Sequence, residues 1–395
     1  MSKNSLRWLL VSLLYGLVAF GRIVSSFGKF ASDPGYDFLL IVEKDGLKSL
    51  FSGSEGYIQI GPRLLAMFAR LFPIEQQAVV LSASVTIVVI MIALLIFQAV
   101  FTQFGKTFLA VIAGLAFLVV PAAAESTVGN YGSIKWPLVV GLAVVIACQK
   151  FVEANVLFTV ALVIFVGLCS PLAIAVSLPL LGYALPKFGQ VDKSLKYLLA
   201  AAVGVTLVQF LYWYSSGAGA QIYGGSVPYK PWAGMGLFWY SIWLTPPLFS
   251  LLVLIIFLVL KFATKASVDS TAIWLALSAM GIFAATYMST GIKDSTAVAG
   301  QSLAWISVII IMFVVIPTIP FHFVRIGTTV ALSMFFVVSS VKWYSASWYL
   351  VDGKKWSVLI EQARTDCADE NAQTAKLQLL LAETELDCDK FSLRD

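Results

Sequence analysis

Apolar runs of about 20 residues recur along this chain, and they constrain its fold more than any other feature. Such runs match the hydrocarbon thickness of a bilayer, where only helices and closed barrels satisfy every backbone N–H and C=O. The runs are continuous rather than alternating, which excludes a transmembrane barrel. Composition agrees: 59% of the 395 residues are hydrophobic and 12% are charged, whereas a soluble domain carries about 25% charged residues. The expected fold class is an all-α polytopic membrane protein with about 11 transmembrane helices. The net charge of +5 is dispersed, with no basic stripe, so no nucleic-acid partner is expected.

The spans are expected at roughly 7–26, 76–101, 107–124, 136–151, 155–170, 172–186, 195–214, 238–261, 270–289, 300–320 and 326–344. The tract 155–186 is split at Ser170-Pro171, because proline ends a helix at the residue before it. Lys3 and Arg7 precede the apolar stretch Trp8 to Phe20, and GRIVSSFGKF is a poor cleavage site, so an uncleaved first helix is expected. With the N-terminus cytoplasmic, Lys106, Lys150, Lys187, Lys193, Lys196, Lys261, Lys265 and Arg325 all fall in inner loops, as the positive-inside rule requires. An odd number of spans then puts the C-terminus outside. The chain divides into a bundle, 1–344, carrying a long outer loop at 27–75, and a small extracytoplasmic tail, 345–395.

The outer loop opens with SDPGYD. Residues 36–51 place Tyr36, Leu40, Leu47 and Phe51 on one stripe, the pattern of an amphipathic helix lying in the membrane plane. A second surface helix is expected from Pro62 through Phe72, with Arg63 and Arg70 on one face and Leu64, Leu65, Phe68, Leu71 and Phe72 on the apolar side. Between them GSEGYIQIG must turn. Asp33 and Asp37 fall close to the outer surface, where an acid serves as general base or metal ligand; the competing use of Asp33 is to start a turn before Pro34.

Other outer segments supply further candidates. Glu125, Asn130, Tyr131 and Lys135 cluster before Trp136-Pro137, and Glu125 follows an apolar helix end directly. Tyr223, Tyr229, Trp232, Phe238, Trp239, Tyr240 and Trp243 suit either an interfacial aromatic belt or a mobile platform for a sugar ring or lipid chain. Lys230, and Lys293 beside Asp294, are candidate phosphate contacts. In the tail, Cys367 and Cys388 suit a disulfide in an oxidising compartment, the alternative being two free thiols. Trp356, Leu359, Ile360 and Ala363 there mark an amphipathic helix, expected to dock with a strand or two on the outer face. Cys148 and Cys169 are expected to be apolar packing residues. No Walker A, GxSxG or HExxH motif occurs, and the single histidine, His322, is expected in an inner loop.

The first span, the acid-bearing SDPGYD, the following GYIQIGPRLLA and the short ESTVGNYGSIKWPL loop together resemble the C-type polytopic glycosyltransferase superfamily. The GY…PRLLA pattern and the cysteine-bearing tail also resemble uncharacterised bacterial integral membrane proteins. The resemblance implies a bacterial-type plasma-membrane enzyme that moves a sugar from a polyprenyl-phosphate donor to an envelope glycan, lipid or protein acceptor. It implies Asp33, Asp37 or Glu125 as catalytic acid or base, Arg63, Lys230 or Lys293 at the donor phosphate, and Tyr57, Asn130, Lys135 and Trp232 lining the substrate. A divalent metal is left open, since three residues separate Asp33 from Asp37 where an adjacent acidic dyad is usual for the family. A transporter or lipid flippase fits the helix count and the breaks at Ser170-Pro171 and Thr245-Pro246-Pro247, but not the near-absence of ionisable residues within the spans, Arg22 being the main one. A non-catalytic envelope scaffold acting through the tail is the third reading.

Overall fold

The computed structural model describes residues 3–24, 27–30, 33–51, 53–54, 57–119, 134–173, 176, 193–215, 354–368, 372–378 and 383–388, with single positions and pairs between 271 and 330. The expected spans at 172–186, 238–261, 270–289, 300–320 and 326–344 lie mostly or wholly outside the described residues.

Helix dominates. In chain order the elements are α1 (Lys3–Ile23), α2 (Asp33–Asp45), a 3-10 turn (Gly46–Phe51), the two-residue strands β1 (Gly53–Ser54) and β2 (Tyr57–Ile58), and α3 (Ile60–Ala69). A second 3-10 turn (Ile74–Gln76) leads into α4 (Gln77–Phe104), followed by α5 (Thr107–Val119), α6 (Lys135–Ala147), α7 (Gln149–Ala154) and α8 (Val156–Cys169). Then come α9 (Lys193–Ser215), α10 (Trp356–Asp366) and the antiparallel hairpin β3 (Thr374–Gln378) and β4 (Glu383–Asp387). Two helical stretches, Ile74–Phe104 and Leu195–Ser215, are long and apolar enough to cross a membrane. The apolar helical stretches Ser5–Gly21, Ile60–Ala69, Thr107–Val119, Lys135–Ala147 and Val156–Cys169 are shorter.

Packing follows hydrophobic pattern. In α1, Val11, Tyr15, Ala19 and Ile23 recur every four residues and turn inward, while Leu10, Leu13, Leu17 and Phe20 point out. The Tyr15 hydroxyl donates to the Val111 carbonyl of α5 (3.0 Å). Gly114 makes this approach possible, because a Cβ there would overlap the phenol. Helix α6 is apolar all round, and every one of its residues is buried, with α4 on one side and α8 on the other. Helix α4 ends at Gly105, whose left-handed φ of +68° closes the last turn with an N–H to the Phe101 carbonyl (2.8 Å).

Two sequence expectations change here. The span 136–151 is not one helix: it breaks at Cys148 (φ −87°, ψ 80°), and the Lys150 N–H goes to Gln103 Oε1 of α4 (3.1 Å) instead of a carbonyl of its own helix. His322, expected in a loop, is helical and exposed. The break at Ser170 stands as expected, for Ser170 is extended (φ −156°, ψ 132°) ahead of Pro171.

The bundle has two distinct ends. Arg7 sits 4.3 Å over the Phe101 ring and Trp8 packs edge-on against Phe97, near the end where α4 gives way to Lys106 and where Lys150 lies. At the opposite end the Gly28 N–H donates to Ser82 Oγ (3.1 Å), and segment 27–75 and helix α10 gather there.

Candidate functional site

Segment 27–75 forms a platform across that second end. Asp33 is the first residue of α2 and Pro34 follows within the first turn, where a missing N–H costs nothing. Asp33 thus opens a helix and not merely a turn. Positions 33 and 37 are four residues apart along helix α2 and so fall on one of its faces. The side chains of Asp33 and Asp37 lie outside the described residues, as do Glu125, Asn130, Lys230, Trp232 and Lys293 in full.

The glycine-rich stretch between the two platform helices is more ordered than a turn. Gly53 pairs with Ile58 and Ser54 with Tyr57 in a minimal hairpin. Gln209 of α9, 2% exposed, grips its second strand. Its Oε1 accepts the Ile58 N–H (3.0 Å), and its Nε2 donates to the Ile58 carbonyl (3.2 Å) and to the Gly167 carbonyl of α8 (2.8 Å). An amide side chain thereby replaces a neighbouring strand and ties the platform to two helices. Gly167 permits the close approach of α8 and α9, since a Cβ there would overlap Val205.

Either side of Ile58 the chain presents polar groups to the interior. Tyr57 accepts a hydrogen bond from Nζ of Lys135, the buried first residue of α6. The ammonium also lies 5.0 Å from the Tyr57 ring centroid and 5.2 Å from that of Trp136. Gln59 is buried, and α3 begins with the buried Gly61 and Pro62, Gly61 lying against Cys169.

Arg63 comes next. Its side chain is 0% exposed, and none of its three guanidinium nitrogens has a hydrogen-bond partner among the described residues. The Phe38 ring, 5.8 Å from Cζ, is its aromatic neighbour. Burial lowers the Arg63 pKa from its ordinary value, while Tyr212 and Asp45 act in the opposite sense. Arginine nevertheless stays cationic, so a charge is held in a desolvated place without a hydrogen bond from the described residues.

The structure also shows which face of α3 turns inward. Leu64, Phe68 and Leu71 are exposed, Leu71 at 78%, and Arg63 is the inward residue. Arg70 does not share its environment: it reaches back to α2 and donates from Nη1 to the Val42 carbonyl (3.0 Å). An amphipathic helix turns its apolar face to a protein core in water, but to the outside when the surroundings are lipid.

Of the expected site residues, Tyr57, Arg63 and Lys135 therefore converge on the platform end. The residue that sequence reading passed over is Gln209. Its signal in the sequence is an amide within the apolar tract of α9, which carries no charge to mark it. A cleft beside Gln209, between Gly167, Ser170 and Ala202, has room only for something the size of a water molecule. Among the described residues no three His, Cys, Asp or Glu side chains come together, and the described part of the site is cationic. Such cationic and amide groups suit an anion. No known protein family matches the chain, and no curated protein matches it.

Proposed function

We propose that the protein is a multi-pass membrane glycosyltransferase whose platform end faces outward and takes a polyprenyl-phosphate-linked sugar. The observation that carries this reading is Arg63, a buried guanidinium on the platform helix α3 with no hydrogen-bond partner among the described residues. A buried charge without hydrogen bonds is costly, and a bound anion relieves it. A lipid-linked phosphate reaches such a depth without leaving the membrane.

Further support comes from the surface. Outward leucines and phenylalanines on α1, α3, α8 and α9, among them Leu17, Phe68, Leu157 and Leu211, clothe the described bundle in apolar side chains. Arg7, Lys106 and Lys150 belong to the end opposite the platform, the arrangement of a cytoplasmic face. The cysteine pair Cys367 and Cys388 belongs to the platform end, which suits an oxidising exterior.

In this mechanism Asp33, or its helix neighbour Asp37, or Glu125 takes the proton from an acceptor hydroxyl. The oxygen attacks the anomeric carbon, and the bond from that carbon to the lipid phosphate oxygen breaks. The departing phosphate keeps the electron pair, and Arg63, with Lys230 or Lys293, stabilises its charge. Tyr57 and Lys135, with Asn130 and Trp232, line the sugar. The test is genetic. Loss of the protein changes the envelope glycans, and Asp33→Asn at normal abundance fails to restore them. Full restoration by Asp33→Asn removes Asp33 from the mechanism, and unchanged glycans in the deletion strain remove the reaction.

A further inference from the structure

The tail helix α10 touches the platform at both of its ends. The Trp356 N–H donates to the Gly28 carbonyl (2.9 Å), just beyond α1. The indole N–H of the same residue donates to the Ile74 carbonyl (2.7 Å), just before α4. Trp356 is fully buried and meets Phe30 edge-on, with centroids 4.8 Å apart. Two turns further along α10, Arg364 pairs with Glu75. One short helix therefore ties together the points where the platform leaves the bundle and returns to it.

The clamp has little of its own to keep it folded. Among the described residues its buried apolar side chains are Leu359, Ile360 and Ala363 on the helix, besides Trp356, and Ala375, Leu377 and Leu386 on the hairpin. A unit of about 40 residues usually needs a disulfide, a metal or a partner surface to stay folded. Cys367 caps α10 and Cys388 follows β4, with their sulfurs at disulfide-bonding distance and their Cα atoms 5.4 Å apart. Closing a loop of about 20 residues favours the folded tail by a factor on the order of 100.

We propose that the tail is a redox-dependent clamp on the platform. With the Cys367–Cys388 bond closed, Trp356 holds Gly28 and Ile74 together. When a dithiol reduces the bond, its two electrons and two protons end on the two cysteine sulfurs and it leaves as its own disulfide; the tail then loosens and the platform ends part. The clamp goes beyond glycosyl transfer and stands whether or not that reaction is the right one.

Hydrogen exchange read by mass spectrometry on the full chain in detergent tests it, with dithiothreitol as reductant and thiol alkylation to count open cysteines. Protein prepared without reductant resists alkylation at both cysteines. On reduction, exchange at the Trp356 amide accelerates on the order of 100-fold. Peptides covering 27–30 and 70–76 also accelerate, while those from α4 and α6 do not. The double variant Cys367→Ser/Cys388→Ser exchanges fast with or without dithiothreitol; if it fails to accumulate, the wild-type comparison decides alone. Open thiols with unchanged exchange at Trp356 and the platform ends overturn the clamp, and so do cysteines that alkylate freely before reduction.

Discussion

Replacing Arg63 with methionine should make the ligand-free protein more stable while abolishing the proposed anion site. Arg63 is 0% exposed, its nitrogens lack hydrogen-bond partners among the described residues, and Phe38 at 5.8 Å lies at the edge of cation–π range. Tyr212 and Asp45 attract the charge without hydrogen-bonding to it. Substituting buried charges with apolar residues of similar volume is worth up to about 1–4 kcal/mol. At about 2.1 cal/mol/K per residue, a chain of this length converts that into a rise of roughly 1–5 °C in the unfolding midpoint. Since burial lowers the Arg63 pKa, the penalty persists wherever Arg63 is charged and is relieved only as pH climbs through that lowered value. Thermal unfolding in detergent, with and without a polyprenyl phosphate, reads both effects. Wild type should be stabilised by the lipid, by about 2.7 kcal/mol at a hundredfold excess over Kd, and Arg63→Met should not be. A midpoint lowered by several degrees in Arg63→Met without lipid would refute the reasoning, because it would mean the guanidinium is satisfied within the folded chain.

Gln209→Leu removes the bonds to both polar groups of Ile58 and to the Gly167 carbonyl, and should cost about 2–4 kcal/mol. Hydrogen exchange at the Ile58 amide should rise in that variant more than exchange in α4, and equal rises would reduce Gln209 to a general packing residue. Gly167→Ala pushes a methyl into Val205 and should destabilise the α8–α9 contact by about 1–3 kcal/mol. Val205→Ala in the same chain should recover much of that loss in a thermal melt, and no recovery would place the strain elsewhere.

Periodicity and hydropathy determined much of this architecture directly. Helices at the described apolar tracts, the stop at Ser170 before Pro171 and the amphipathic tail helix all follow from local rules about proline, spacing and side-chain character. Arg63 and Lys135 were also recognisable as unusual cations beside apolar segments. Tertiary structure decided what those local rules cannot reach. Hydrophobic pattern shows that α3 has two faces but not which surrounds it, and packing against α2, α4 and α8 turned Arg63 inward and Leu64, Phe68 and Leu71 out. The pairing of Tyr57 with Lys135, the grip of Gln209 on Ile58 and the bond of Trp356 to Ile74 join residues 78, 151 and 282 positions apart. Such contacts exist only once the helices have assembled, because each places a buried polar group where the sole alternative is to leave it unpaired.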